Sequence, residues 1–548
     1  MIKSPFQIAR SAYEPRLPRN LNEKVQPVEG KRTEPLSDKE VIREMFPQTY
    51  GLPVLDFQPS DSSQPTPPVK VGVVLSGGQA PGGHNVIAGL FDGLKKLNPD
   101  SKLYGFLGGP SGLIKNQYCE LTAEIVEEYR NTGGFDIIGS GRTKLEEKEQ
   151  FDQGMENCRE LGINALLIIG GDDSNTNACV LAEYYKEAGS GIQVIGCPKT
   201  IDGDLKNEMI EVSFGFDTAC KVYAELIGNI QRDAYSAKKN WHFIKLMGRS
   251  ASHITLECAL QTQPNIALIS EEVERKSMTL AQIVKQISKT IVRRSEKGKD
   301  FGTVLIPEGI IEFIPEFKKL IQELNDLLAE FNDEFLSIET DQEKREFLAV
   351  KLSRASEKLF DNLPNDISDQ LILDRDPHGN VVVSRIETEK LLIKMVEARL
   401  KKYRQEGNYK GKFTPQNHFF GYEGRCAAPS NFDANYCYAL GFTAAILIAH
   451  EKTGYMTSVR NLTGKPEDWI CGGTPITGMM NLEKRHGQIK PVIKKALVEL
   501  DQKPFVFFAQ NRDSWAIQTN YIFPGPIQYF GPAEVCDAPS KTLILEQQ

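Results

Sequence analysis

No two of the ten cysteines are spaced as CxxC, and no regular spacing links them. Cys179, Cys197, Cys258 and Cys437 lie inside apolar runs. This pattern argues against a metal-binding knuckle or a disulfide scaffold and reads as reduced core thiols in a reducing compartment. No uninterrupted apolar run reaches the ~18 residues that a bilayer span requires. The first residues have basic Arg10, Arg16 and Arg19 but no hydrophobic segment of the signal-peptide kind. Pro5, Pro15 and Pro18 break the amphipathic helix of a transit peptide. The expectation is a cytoplasmic protein with no membrane partner. Basic excess is also missing: the formal net charge is -8, which argues against a nucleic-acid partner while leaving room for a local basic pocket. Two phosphate-binding signatures are absent, G-x-x-x-x-G-K-S/T and the dinucleotide fingerprint G-x-G-x-x-G.

What remains is a chain of 548 residues with 40% hydrophobic and 25% charged residues, a composition of ordinary globular domains. Its length implies two or three domains. From Val69 onward a rhythm of apolar run, Gly-rich turn and helical stretch repeats. Strands are expected at 69–75, 102–107, 135–138, 164–169, 193–197, 241–246, 266–269 and 301–306, with helices between them. Alternation of this kind gives a doubly wound, parallel α/β sheet. Residues 1–66 are proline-rich and read as an arm, with 56–68 as a linker or strap. From 315 to 419 long charged stretches without Gly-rich turns read as a mostly helical insertion. The expected division is an arm over 1–66, a first α/β domain over 67–240, a second over 241–314 and 420–530, and the insertion.

The turns at strand ends carry the chemistry. Gly170-Gly171-Asp172-Asp173-Ser174-Asn175 follows the apolar run 164–169. It places two carboxylates at the carboxyl end of a strand beside a helix start, which Ser174 can cap. Adjacent like charges there are costly unless a cation or a phosphate-handling role requires them. Asp172 is therefore read as a Mg²⁺ ligand, and Asp173 as the residue that decides which phosphoryl donor enters. Gly77-Gly78-Gln79-Ala80-Pro81-Gly82-Gly83 can cradle phosphate with backbone N–H groups. In Lys199-Thr200-Ile201-Asp202-Gly203-Asp204 a lysine can neutralise phosphate while a carboxylate orients a substrate hydroxyl. Two aspartates compete for that second role.

Taken together, GGxAPGGHN, GGDDSN, PKTIDGDL, MGRSASH and YEGRCAAPSNFD resemble the phosphofructokinase family, in the family's order. The arm SPFQIARSAYEPRLP and the helical insertion resemble its long, pyrophosphate-dependent branch. The resemblance implies two Rossmann-like domains and a glycolytic phosphotransferase acting on fructose 6-phosphate. It implies that Asp202 accepts the proton of the sugar 1-hydroxyl. It assigns Thr200, Ile201, Asp202, Met247, Gly248, Arg249 and Glu308 to the sugar phosphate, with Tyr422, Glu423, Gly424 and Arg425 closing on it. Gly77 would touch pyrophosphate, Asp172 would bind Mg²⁺, and Arg142 stands at a second phosphate contact. Lys239 and Asn240 would cross to the partner's site in a homodimer with shared active sites; relatives carry an aromatic at Asn240. ATP-using relatives carry Gly where Asp173 and Lys199 stand. The rival readings are an ATP-dependent 6-phosphofructokinase and a non-catalytic regulatory paralogue. Retention of TIDGD and GGDD opposes the second.

Overall fold

The computed structural model describes residues 4–61, 66–375, 381–485, 488–526 and 537–548. The chain divides into two compact units: 1–222, 422–496 and 527–548 form unit 1, and 223–421 with 497–526 form unit 2.

Unit 1 is built on one large mixed sheet. Its strands are β1 (Val25–Arg32), β2 (Pro53–Pro59), β3 (Lys70–Leu75), β4 (Lys102–Phe106), β5 (Tyr118–Glu120), β6 (Ala165–Gly170), β7 (Gln193–Thr200) and β8 (Phe214–Gly215). Unit 2 follows with β9 (Trp241–Leu246), β10 (Ile266–Ala267), β11 (Gly302–Pro307) and β12 (Pro415–Phe420), and the chain then returns to unit 1 with β13 (Tyr455–Arg460) and β14 (Ile470–Pro475). The order in unit 1 is β1-β2-β14-β13-β7-β6-β3-β4-β5. The centre, β13-β7-β6-β3-β4, is parallel. Strand β6 is buried at every residue and β3 at all but its first, as a sheet covered on both faces demands. Because β4 and β6 flank β3 on opposite sides, the connections leaving β3 and β6 diverge. That divergence marks the usual ligand position of open α/β sheets, at the strands' carboxyl ends.

Helix Asn431–Ala449 runs through this unit against helix Gly83–Leu97. By length and hydropathy alone it could cross a membrane, but it is buried. Several of its polar residues bond to other parts of the chain, as in a core helix. Asp433 accepts hydrogen bonds from the N–H groups of Gly215 (3.1 Å) and Thr218 (2.9 Å). Asn435 Oδ1 accepts from Tyr13 Oη (3.0 Å) and Arg16 N (2.8 Å), and Asn431 Oδ1 from Arg10 Nη1 (2.9 Å). A Cβ on Gly89 would strike the Tyr438 carbonyl, and one on Gly441 the Val86 carbonyl. Glycine lets the two backbones touch.

Unit 2 carries the parallel sheet β10-β11-β9-β12. The helices Pro315–Glu330, Arg354–Asp361, Asn365–Leu373 and Thr388–Gln405 share its core: Phe317, Leu324, Phe360, Ile367 and Leu391 cluster with Trp241, Phe243 and Ile306. On β9 and β12, His242 Nδ1 lies 2.9 Å from His418 Nε2. Burial, then the neighbouring His418, pushes His242 down to about 4, with Asp233 opposing; burial also lowers His418. An unfolded histidine titrates near 6.5, so the unfolded chain takes up protons first as pH falls. The pair's stabilisation is complete above pH ~6.5 and is lost from there down towards pH 4. For His242 the loss between pH 6.5 and 5 is at most about 2 kcal/mol. Thermal melting should show this decline, and it should shrink in His242→Phe; an unchanged decline would assign it elsewhere.

Several sequence expectations differ from this fold. The arm is no mere strap: β1 and β2 extend the sheet, β2 pairing with β14. The linker expected over 56–68 has its first four residues in β2, and 62–65 lie outside the described residues. Residues 135–138 form a turn closed by Gly139 N to Phe135 O (2.7 Å), and β5 is the edge strand instead. Residues 422–496 join unit 1 because β13 pairs with β7, whereas 497–526 stay with unit 2. The helical insertion is part of unit 2's core rather than a separate domain. The part of the expected second domain over 527–530 lies outside the described residues.

Candidate active site

In unit 1 the turn after β3 is pinned to its neighbours. Ser76 N donates to Ile169 O (2.8 Å) and Gly77 N to Gly141 O (2.8 Å), while Ser174 Oγ donates to Ser76 Oγ (2.8 Å). Gly77 has φ +86°, a conformation costly for any side chain. The helix after β6 starts at Asp172, not Asn175, and Gly171 is its N-cap without a side-chain bond. Ser174 is committed to Ser76 instead of capping. Both aspartates thus occupy the first turn, where the helix dipole favours negative charge. Asn175 ties the region together, its Nδ2 donating to Gly170 O (2.6 Å), Gly171 O (2.9 Å) and Cys197 O (3.3 Å).

Cations gather around this turn. A Cβ placed on Gly77 would lie 3.3 Å from Lys199 Nζ; one on Gly78 would strike the Arg425 guanidinium and lie 3.4 Å from Arg142 Nη2. Burial, then Arg425 and with less weight Arg142, pushes the Lys199 ammonium down to about 8, with Asp202 and Asp172 opposing. Carboxylates stand close to this lysine. Asp202 N donates to Thr200 Oγ1 (3.0 Å), and Thr200 O accepts from Ser213 Oγ (3.0 Å). Ile201 is buried beneath the loop. Asp202 Oδ1 is buried with no hydrogen-bond partner, and so is Asp172 Oδ2. Buried oxygens of this kind are rare without a ligand to satisfy them. Asp204 is pushed up to about 7 by burial, then by Asp202, with Lys495 opposing. Asp173 is exposed. Tyr422–Arg425 form one short helical turn with Tyr422 and Glu423 exposed and Gly424 buried. Arg425, assigned from sequence to the sugar phosphate, rests on the Gly78 turn.

Unit 2 carries the other group. Gly248 (φ +121°) donates from its N–H to Glu308 Oε2 (3.2 Å), and Glu308 N donates to Leu246 O (2.9 Å). Met247 N donates to Phe420 O (3.0 Å), and a Cβ on Gly309 would strike the Arg249 carbonyl. Met247, Gly248, Arg249 and Glu308 therefore meet at the carboxyl ends of β9 and β11. Lys239 and Asn240 (φ +73°) lie at the opposite end of β9, roughly 20 Å away along the strand at ~3.3 Å per residue. Unit 2 does not bring them to that group.

Among the described residues no three His, Cys, Asp or Glu side chains form a metal cluster. Asp172 offers one carboxylate, which fits Mg²⁺, an ion commonly held by one or two carboxylates plus phosphate oxygens and water.

The phosphofructokinase family model matches residues 70–347. The chain belongs to the phosphofructokinase family. The pyrophosphate–fructose 6-phosphate 1-phosphotransferase of Porphyromonas gingivalis is 60% identical over 547 residues, covering 100% of both chains. That of Entamoeba histolytica is 54% identical over 540 residues, covering 98% of each. A crystal structure of a pyrophosphate-dependent phosphofructokinase from Nitrosospira multiformis superposes with a TM-score of 0.55 at 15% identity, over 86% of this chain and 97% of that one, and so shares the fold.

Within this phosphofructokinase site, sequence reading missed Ser76 and Lys495. Ser76 is an ordinary turn residue until its bond to Ser174 is seen. Lys495 Nζ lies 3.5 Å from Asp172 Oδ2 and 4.0 Å from Asp204 Oδ2, yet it is one of two consecutive lysines about 300 residues downstream. No sequence signal marks that proximity.

Proposed function

We propose that this chain transfers a phosphoryl group from pyrophosphate to the 1-hydroxyl of fructose 6-phosphate, giving fructose 1,6-bisphosphate and phosphate. The observation that carries the reading is the orphaned Asp202 Oδ1 on the loop that also presents Lys199. Full-length relatives named for this reaction support it.

Asp202 accepts the hydroxyl proton while the sugar oxygen forms its bond to phosphorus. The bridging P–O bond of pyrophosphate breaks, and its electron pair leaves with inorganic phosphate. Such transfers proceed through a loose transition state, so the protein contributes position and charge more than covalent chemistry. Lys199, Arg142, Arg425 and the Gly77 N-terminal turn stabilise the donor's phosphates. The sugar-phosphate contacts expected of unit 2 are Met247, Gly248, Arg249 and Glu308, and those expected of unit 1 are Thr200 and Ile201; Tyr422, Glu423 and Gly424 carry Arg425. Asp172 holds Mg²⁺, which when bound offsets donor charge. One phosphoanhydride is exchanged for an ester, so the reaction runs both ways. The working form is a homodimer in which Lys239 and Asn240 reach the partner's site; light scattering at twice the chain mass supports it, and at the chain mass contradicts it.

A donor comparison tests the reading. With Mg²⁺ and fructose 6-phosphate, pyrophosphate should sustain turnover while ATP gives less than about a hundredth of it. That ceiling corresponds to about 2.7 kcal/mol of discrimination. Faster turnover with ATP would overturn the donor assignment.

A further inference from the structure

We propose that Lys495 is a donor-binding residue: it rests against Asp172 in the ligand-free chain and moves onto a pyrophosphate oxygen when the magnesium-bound donor enters. The inference rests on the donor reading above.

Three hydrogen bonds donated by neighbouring backbone N–H groups fix its position. After β13 and β14 the chain forms a hairpin from Met480–Arg485 and Gln488–Ile493. Ile493 N donates to Thr176 Oγ1 (3.2 Å) on the donor-site helix. Lys494 N then donates to Met479 O (3.1 Å), and Ala496 N donates to Asp204 O (2.7 Å). Lys495 is thus anchored on both sides by its neighbours.

Its ammonium sits 3.5 Å from Asp172 Oδ2 and 4.0 Å from Asp204 Oδ2, and Asp172 Oδ2 has no hydrogen bond. At those separations it compensates two carboxylates without closing on either. A lysine has three rotatable donors on a four-carbon stem and can change partner by rotation alone. Three cations surround Gly77 and Gly78, and Lys495 adds a fourth beside the expected metal ligand. Pyrophosphate would bring several negative charges to this place, and a Mg²⁺ held by Asp172 would repel an ammonium. Both effects would draw Lys495 from the carboxylate to a phosphate oxygen. A purely structural role, as counter-ion to Asp204, would make no such distinction between ligands.

Calorimetry with imidodiphosphate and Mg²⁺ separates the two. Lys495→Met should weaken imidodiphosphate binding roughly thirtyfold, the usual worth of a hydrogen bond to a charged group. Lys495→Arg should stay within about fivefold of wild type. Fructose 6-phosphate titrated alone should bind all three proteins alike. Mn²⁺ titrated without phosphate, read by electron paramagnetic resonance, should bind the Met variant at least as tightly as wild type. Unchanged imidodiphosphate binding, or equal loss of imidodiphosphate and fructose 6-phosphate, would overturn the proposal. If the Met variant fails to fold, Lys495→Gln is read in the same way. Wild-type protein that binds no imidodiphosphate would reject the donor reading itself.

Discussion

Replacing Asp202 by serine should lower kcat about a thousandfold in both directions, while fructose 6-phosphate affinity changes less than about threefold. A positioned general base contributes roughly 10²–10⁴ in rate. The upper half of that range applies because Asp202 Oδ1 is buried with no competing hydrogen bond. Its loop would survive the change, since Asp202 N, not its side chain, bonds Thr200. Asp204, two residues on, cannot easily substitute. Its backbone carbonyl accepts from Ala496 N (2.7 Å), and its carboxylate faces Lys495 at 4.0 Å. Steady-state kinetics and sugar titration decide the matter. Near-normal kcat would remove Asp202 from the chemistry, and parallel loss of sugar affinity would make it a binding residue.

The Asp173→Gly variant should begin to accept ATP and lose pyrophosphate turnover. Two unit charges 4 Å apart repel by about 4 kcal/mol at an effective dielectric of 20, but by about 1 kcal/mol in water. Asp173 is exposed, so the lower end governs the free protein, and the repulsion grows as a bound nucleotide excludes water. The gain in kcat/KM for ATP should therefore fall between about fivefold and a thousandfold. Glycine at the second helical residue costs at most about 1 kcal/mol, so the variant should fold. Kinetics with both donors provides the test: no gain with ATP would mean that exclusion rests on shape elsewhere in the donor turn.

Much of this fold is legible in the sequence. Central strands are continuous apolar runs because both faces are buried, and strand β9 matches its expected limits, Trp241–Leu246. Most of the candidate site residues follow directly on strand ends, so local order alone places them there. The misreadings have a common cause. Strands β1 and β5 are exposed edges whose residues are largely polar or half-buried, so no apolar run marks them. Phe135, Ile137 and Ile138 are buried like a strand but turn back on themselves. The allocation of 422–526 depends on which partner a strand finds: Tyr455 aligns with Ile195, a choice that local pattern does not encode. Lys495 is the extreme case, placed beside Asp172 by a hairpin and three hydrogen bonds from neighbouring backbone N–H groups.

A crystal structure with imidodiphosphate, Mg²⁺ and fructose 6-phosphate would examine the donor assignment most directly. The diphosphate should lie against the Gly77–Gly78 turn, with the metal on Asp172. Diphosphate bound away from that turn, with Asp172 free of metal, would contradict it.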